Sequence, residues 1–229
     1  MSEKTAALDS RAQSLLLDAA EWRLLGLLFE YPAGGWRVRV AGLAGEVSDA
    51  RLRADAEAAP REASEGMHHS IFGPGGPVPP REVSYLGGIQ FGYLLSELSA
   101  YYQAFAYQPQ IQEAEDHISV ETGFVAYLRL KEAYALSSED QEHAAITSEA
   151  ARRFIEEHLA AMAEPIATAL EAVAPPYLVL ASRVLAERVG PPRPAPGAEH
   201  GEVLGDTEES DVSCGESPAL ISIDSPPKI

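Results

Sequence analysis

Four-residue spacing joins His117 to Glu121, which puts an imidazole and a carboxylate on one face of a helix. Such a pair is half of a metal site. A catalytic zinc takes three protein ligands, and no HExxH-type partner is present. A third ligand would have to come from a distant histidine such as His143 or His158. His68 and His69 are adjacent, so on a helix they point roughly 100° apart and do not share one metal. Gly73-Pro74-Gly75-Gly76 has the glycine density of a phosphate loop, without a preceding strand or a Gly-Lys-Ser/Thr ending. No serine lies in a Gly-x-Ser-x-Gly elbow, and no carboxylate pair has the spacing of an acid/base couple. These residues give no visible active site, no metal centre and no cofactor cradle. A helical protein of that kind is expected to bind another protein, because helix-lined grooves accept apolar peptide segments.

Composition narrows the partner. The chain has 229 residues, 17 Lys and Arg against 35 Asp and Glu, and a net charge of −18. That balance excludes nucleic acid, whose phosphates need Lys and Arg, and an anionic membrane surface. One cysteine, Cys214, excludes an internal disulfide and a multi-cysteine zinc site. No apolar stretch reaches the ~18 residues of a spanning helix. The first nine residues lack a secretory pattern, so a cytoplasmic protein is expected. Residues 190–229 hold seven of the 17 prolines, two basic and eight acidic residues, a charge of −6 that leaves −12 for residues 1–189. Such a segment cannot offset the entropy of ordering. The expected organisation is a flexible 1–9, an all-helical domain over 10–189 and a disordered acidic, Pro-rich tail over 190–229.

Apolar periodicity places the helices. Leu15 to Phe29 has helical density, capped by Asp9 or Ser10 and stopped by Tyr31-Pro32 and Gly34-Gly35. A short piece at 36–46 follows. Ser48 is a candidate N-cap for 49–58, and Pro60 suits the first turn of a helix over 60–71. Residues 73–80, Gly-Pro-Gly-Gly-Pro-Val-Pro-Pro, are a stiff loop. Phe91, Leu94, Leu95, Leu98, Tyr101, Tyr102 and Phe105 form the stripe of a helix over 88–105. Asp116 is a candidate N-cap for 117–136, and Ser137 or Ser138 for a long helix from 139, broken or kinked at Pro165. Pro175-Pro176 opens a last helix to Val189. No period-2 strand emerges. The fold class is all-α, about eight to ten helices in one domain.

Three segments resemble the redox-enzyme maturation chaperones of the TorD/DmsD/NarJ type. Ile71-Phe72-Gly73-Pro74 with Pro80-Arg81-Glu82-Val83-Ser84-Tyr85 is similar to that family's "LF-x-GP…P-x-E-S-x-Y" loop. Tyr101-Tyr102-Gln103-Ala104-Phe105 resembles the helix ending "YxAFG". Glu115-Asp116-His117-Ile118 through Phe124 resembles "PDHIxxELxFM". Weaker likenesses follow at Arg153-Phe154 with Glu157-His158-Leu159, and at Pro176-Tyr177. Ala106 stands where the family has glycine, Glu115 where it has proline, and Thr122-Gly123 where it prefers Leu. The first changes hinge flexibility, because alanine does not reach φ > 0 as glycine does. Gly123 costs up to ~1 kcal/mol in a helix unless a neighbour packs closely there.

The resemblance implies a cytoplasmic chaperone, not an enzyme. It would bind the apo catalytic subunit of a DMSO-reductase-family molybdopterin oxidoreductase by its leader, often a twin-arginine one, assist molybdenum cofactor insertion and delay export. It implies a leader-binding centre at Asp116 and His117, with Glu121 one turn on. Tyr101, Tyr102 and Phe105 would wall an apolar groove, and Phe72, Pro74 and Tyr85 would shape the neighbouring loop. An acidic chaperone complements a cationic leader. The style of the motifs leans toward relatives serving multi-subunit type II molybdoenzymes. Both a monomer and a domain-swapped dimer fit the family. Two readings compete with the chaperone: a helical metal-dependent hydrolase built on His117 and Glu121, and an acidic scaffold or regulatory subunit.

Overall fold

Helix α1, Glu3–Leu28, lies along α6, Ile118–Ser137, and this pair is the spine of the fold. The computed structural model describes residues 3–87 and 91–191, with side chains from residue 10 onward. Between the two spine helices in sequence come α2 (Trp36–Ala44), α3 (Ala50–Glu62), α4 (Glu65–Phe72), a 3-10 turn at Glu82–Ser84 and α5 (Phe91–Ala104). After them, α7 (Gln141–Phe154) runs through a π turn at Ile155–Leu159 into α8 (Ala160–Leu170), one continuous rod, and α9 (Pro176–Val189) closes the unit. The described residues thus hold nine α-helices and no strand, and they lie within one compact unit, Met1–Arg193. The expected tail lies outside the described residues from residue 192 on.

The boundaries shift for identifiable reasons. Helix α1 starts at Glu3, before the expected cap and inside the segment expected to be flexible, because Glu3-Lys4-Thr5-Ala6-Ala7-Leu8 is rich in good helix formers. Pro60 does not open a helix: it sits in the last turn of α3, where only one backbone bond is forfeited. The real break is at Ala63, with ψ 135, after which Ser64 caps α4 by accepting from the Met67 N–H. Arg37 donates to the Pro60 and Ala63 carbonyls and so satisfies the end of α3. Asp49, not Ser48, caps α3, accepting from the Arg51 and Leu52 N–H groups. Ser48 is instead claimed by Glu21, to which its hydroxyl donates at 2.6 Å. Asp140 caps α7, because α6 runs on to Ser137 and turns through Glu139 at φ 57. Pro165 lies within α8 without ending it.

A buried acid on α3 is left unsatisfied in this frame. Asp55 on α3 is 6 % exposed, and its Oδ2 has no hydrogen-bond partner. Burial, reinforced by Glu62, pushes its carboxyl up to about 8. The folded protein therefore holds this proton more tightly than the unfolded chain, and stability is withdrawn as pH rises from about 4 toward 8, by up to ~1.4 kcal/mol per unit. Asp55→Asn should flatten the stability-against-pH curve across that interval. Urea titrations at pH 5 and pH 8 measure it, and an unchanged slope would count against the assignment.

Candidate functional site

The loop after α4 and the start of α6 are stitched together. Gly73 and Gly76 let the loop fold back on the end of α4: a side chain at Gly76 would come within 2.3 Å of the Ile71 carbonyl oxygen. The Val78 N–H donates to that same carbonyl, and Val78 is fully buried. From there the chain runs antiparallel to residues 116–118. The Ile118 N–H donates to the Pro80 carbonyl at 2.9 Å, and the Glu82 N–H to the Asp116 carbonyl at 2.9 Å. The two strongest motif segments of the sequence are thus one structural unit.

Side chains complete the junction. Asp116, fully buried, accepts from Arg81 Nε at 2.8 Å and Nη2 at 2.7 Å, and more distantly from the Val83 N–H. It does not cap α6. His117 is the N-cap, its Nδ1 accepting from the Ser119 N–H at 3.2 Å, with the Ser119 hydroxyl 2.6 Å away. Burial, with His68 and Arg81 adding to it, holds His117 down at about 3, so the ring is neutral at neutral pH. With Nδ1 accepting, the ring proton sits on Nε2.

Behind this junction lies a buried acid chain. Glu121 is fully buried, and neither of its oxygens meets an N–H or O–H donor. Burial and the neighbouring carboxylates of Glu82 and Asp116 raise its carboxyl well above the usual range, and Glu82 lies within hydrogen-bond reach. The contact closes when Glu121 keeps its proton and donates it to Glu82. Glu82 in turn faces His158 Nδ1, with both carboxylate oxygens at 3.2 Å. His158 belongs to the π turn of the α7–α8 rod. Turns of this kind occur disproportionately at functional sites.

The chain matches the family described as Nitrate reductase delta subunit over residues 40–168, more than half its length. The chain belongs to this family. It is a family of NarJ/TorD-type chaperones that assemble nitrate-reductase-like molybdoenzymes, and not a catalytic one. No curated protein and no solved structure matches the chain. Among the described residues no helix is long and apolar enough to cross a membrane.

Within this nitrate reductase delta-type fold, the expected site residues divide into two groups. Phe72, Pro74 and His117 line a cleft of about 480 Å³ together with Tyr31, Arg81 and Glu113. Tyr85 braces the loop from outside that cleft, its hydroxyl donating to the Pro79 carbonyl at 2.7 Å. Asp116 and Glu121 do not reach the surface: the arginine that Asp116 meets is the chain's own Arg81, and Glu121 faces Glu82. Tyr101, Tyr102 and Phe105 all stack around Phe124, so packing claims them, and Tyr102 is buried. Phe105 alone also reaches a groove, about 760 Å³, between α6 and α7. Its wall carries the exposed side chains Leu130, Tyr134 and Ile146, with Asp140 at its edge. His117, Glu121 and His143 do not converge on one ligand position: His143, exposed, is bound to Asp140.

Two of the three departures from the family pattern have structural answers. Ala106 does adopt the left-handed region, at φ 54, closing α5 with bonds from its own N–H to Gln103 and from the Tyr107 N–H to Tyr102. The left-handed turn is therefore kept, with the strain an alanine bears there. At Gly123 a Cβ would come within 2.8 Å of the Tyr107 hydroxyl, which donates to the Val120 carbonyl. A close neighbour is thus what the glycine accommodates. Sequence reasoning assigned no role to Arg81 or Glu82, and named His158 only as a candidate third metal ligand. The signal was present only as membership of motif segments, because their partners lie 35 to 76 residues away.

Proposed function

We propose that the chain is a cytoplasmic chaperone that binds the apo catalytic subunit of a molybdopterin oxidoreductase through that subunit's N-terminal leader, and holds it from export until the molybdenum cofactor is in place. The observation that carries this reading is the apolar groove beside Phe105. Exposed Leu130, Tyr134 and Ile146 (47, 76 and 52 %) form a contiguous apolar wall on a protein whose helical part carries −12. Contiguous apolar wall of this kind marks interaction surface. A leader with an apolar stretch and cationic flank complements it, the apolar part filling the groove and the flank meeting the acidic surroundings. Asp116 and Glu121 then act from inside, by holding the loop, while His117 offers its Nε2–H from the separate cleft at the start of α6.

Calorimetric titration tests this with the N-terminal leader peptides of nitrate-reductase-type catalytic subunits. Leu130→Ser combined with Ile146→Ser should weaken binding at least tenfold, about 1.4 kcal/mol. Both residues are exposed, so unfolding free energy should stay within about 1 kcal/mol for the pair. Unchanged affinity in the folded double variant would reject the groove as the leader's seat.

A further inference from the structure

We propose that His158, Glu97 and Glu157 form a binding site for a divalent transition-metal cation of the zinc type, where α5 faces the π turn. A ring nitrogen of His158 and one carboxylate oxygen each from Glu97 and Glu157 lie within 4.8 Å of one another. Glu97 is half-buried on α5 and Glu157 is exposed. The second, independent observation is His158 itself. It is 2 % exposed, and its Nε2 has no hydrogen-bond partner. Since Nδ1 is committed to Glu82, Nε2 is the nitrogen left for a ligand.

The chemistry of the three groups suits a cation between them. With its proton on Nδ1, His158 presents a lone pair at Nε2, and both carboxylates present only lone pairs. A buried acceptor facing two anions is stabilised by a positive charge placed between them, which a bound cation supplies. One nitrogen and two carboxylate oxygens, with water in the remaining position, is a coordination set zinc accepts. Zinc bonds of about 2.0–2.2 Å place tetrahedral ligands roughly 3.3 Å apart, so any ligand atoms standing farther apart must draw in. Glu97 can swing to do so, while Glu157 is held by Tyr101 and Arg153 and His158 is buried. Glu82 supplies the outer carboxylate that metal-binding histidines use to fix tautomer and orientation. Tyr101 and Arg153 would orient Glu157, donating to its Oε2 at 2.7 Å and its Oε1 at 3.0 Å. The π turn helps for a local reason: its wider ring makes consecutive side chains such as Glu157 and His158 diverge less than on an α-helix.

The test is a calorimetric titration of zinc sulfate into the metal-stripped full chain, carried in a Cys214→Ser background so that the thiol does not contribute. Zinc should bind, and should raise the thermal midpoint. Glu97→Gln and Glu157→Gln, which leave buried His158 in place, should each weaken zinc binding at least tenfold and abolish the rise in midpoint. Absence of zinc binding, or zinc binding equally tight in both variants, overturns the site.

Discussion

Asp116→Ala should lower the unfolding free energy by about 2–3 kcal/mol. Breaking a fully buried ion pair costs about 3–5 kcal/mol because the surviving charge is stranded. Here the survivor is Arg81, whose side chain is 37 % exposed, so water can take over part of the solvation and the loss is smaller. The Val83 N–H also loses its acceptor. The two backbone bonds that tie residues 80–82 to 116–118 remain, so the loop should loosen without detaching. Asp116→Asn, which keeps an acceptor oxygen, should cost less than the alanine. Removing this carboxylate also takes one neighbouring anion from Glu121, whose carboxyl should then titrate lower. Urea unfolding of both variants measures the ranking. Equal midpoints for wild type and Asp116→Ala would remove the junction from its assigned role.

Phe124→Ala should have the larger effect, about 3–5 kcal/mol, and a fall in thermal midpoint of roughly 10 °C or more. Phe124 is fully buried and is the ring on which five others converge: Tyr102 at 4.9 Å, Tyr107 at 5.2 Å, Phe154 at 4.8 Å, and Tyr101 and Phe105 beyond 6 Å. Deleting it opens a cavity at the crossing of α5, α6 and the α7–α8 rod, and removes edge-to-face contacts besides. A domain whose total stability is about 5–15 kcal/mol cannot absorb that without a visible change. Circular dichroism melts give the result. A shift of only a degree or two would mean that the ring cluster repacks freely.

Most helices could be placed from the sequence because their stripes are long and their breakers dense. The 91–105 stripe and the 73–80 loop needed only periodicity and proline chemistry. The caps were harder, and for one physical reason. Neighbouring polar residues share the same capping preference, and a distant element decides between them. Glu21 claims Ser48, which leaves Asp49 to cap α3. Arg81 claims Asp116, which leaves His117 to cap α6. Pro60 misled because proline fixes φ equally well in a first turn and in a last one; the extended Ala63 and the Ser64 cap end α3, not the proline.

The site divides in the same way. Aromatic residues at helical spacing, Tyr101, Tyr102 and Phe105, announced an important face of α5. Local spacing could not say whether that face was groove or core; the rings of Phe124 and Phe154 made it mostly core. His117 and Glu121 share a helix face as spacing required, yet burial gave them opposite duties, a neutral capping imidazole and a proton-holding acid.

By itself the sequence determined an acidic, all-helical chain, its breakpoints, and the motif segments that mark its family, since these depend on residue type and short spacing. Only the tertiary structure decided which polar groups meet: Arg81 with Asp116, Glu82 with Glu121 and His158. Those partnerships depend on burial and on contacts between residues far apart in the chain, and no local pattern encodes the desolvation that makes them matter.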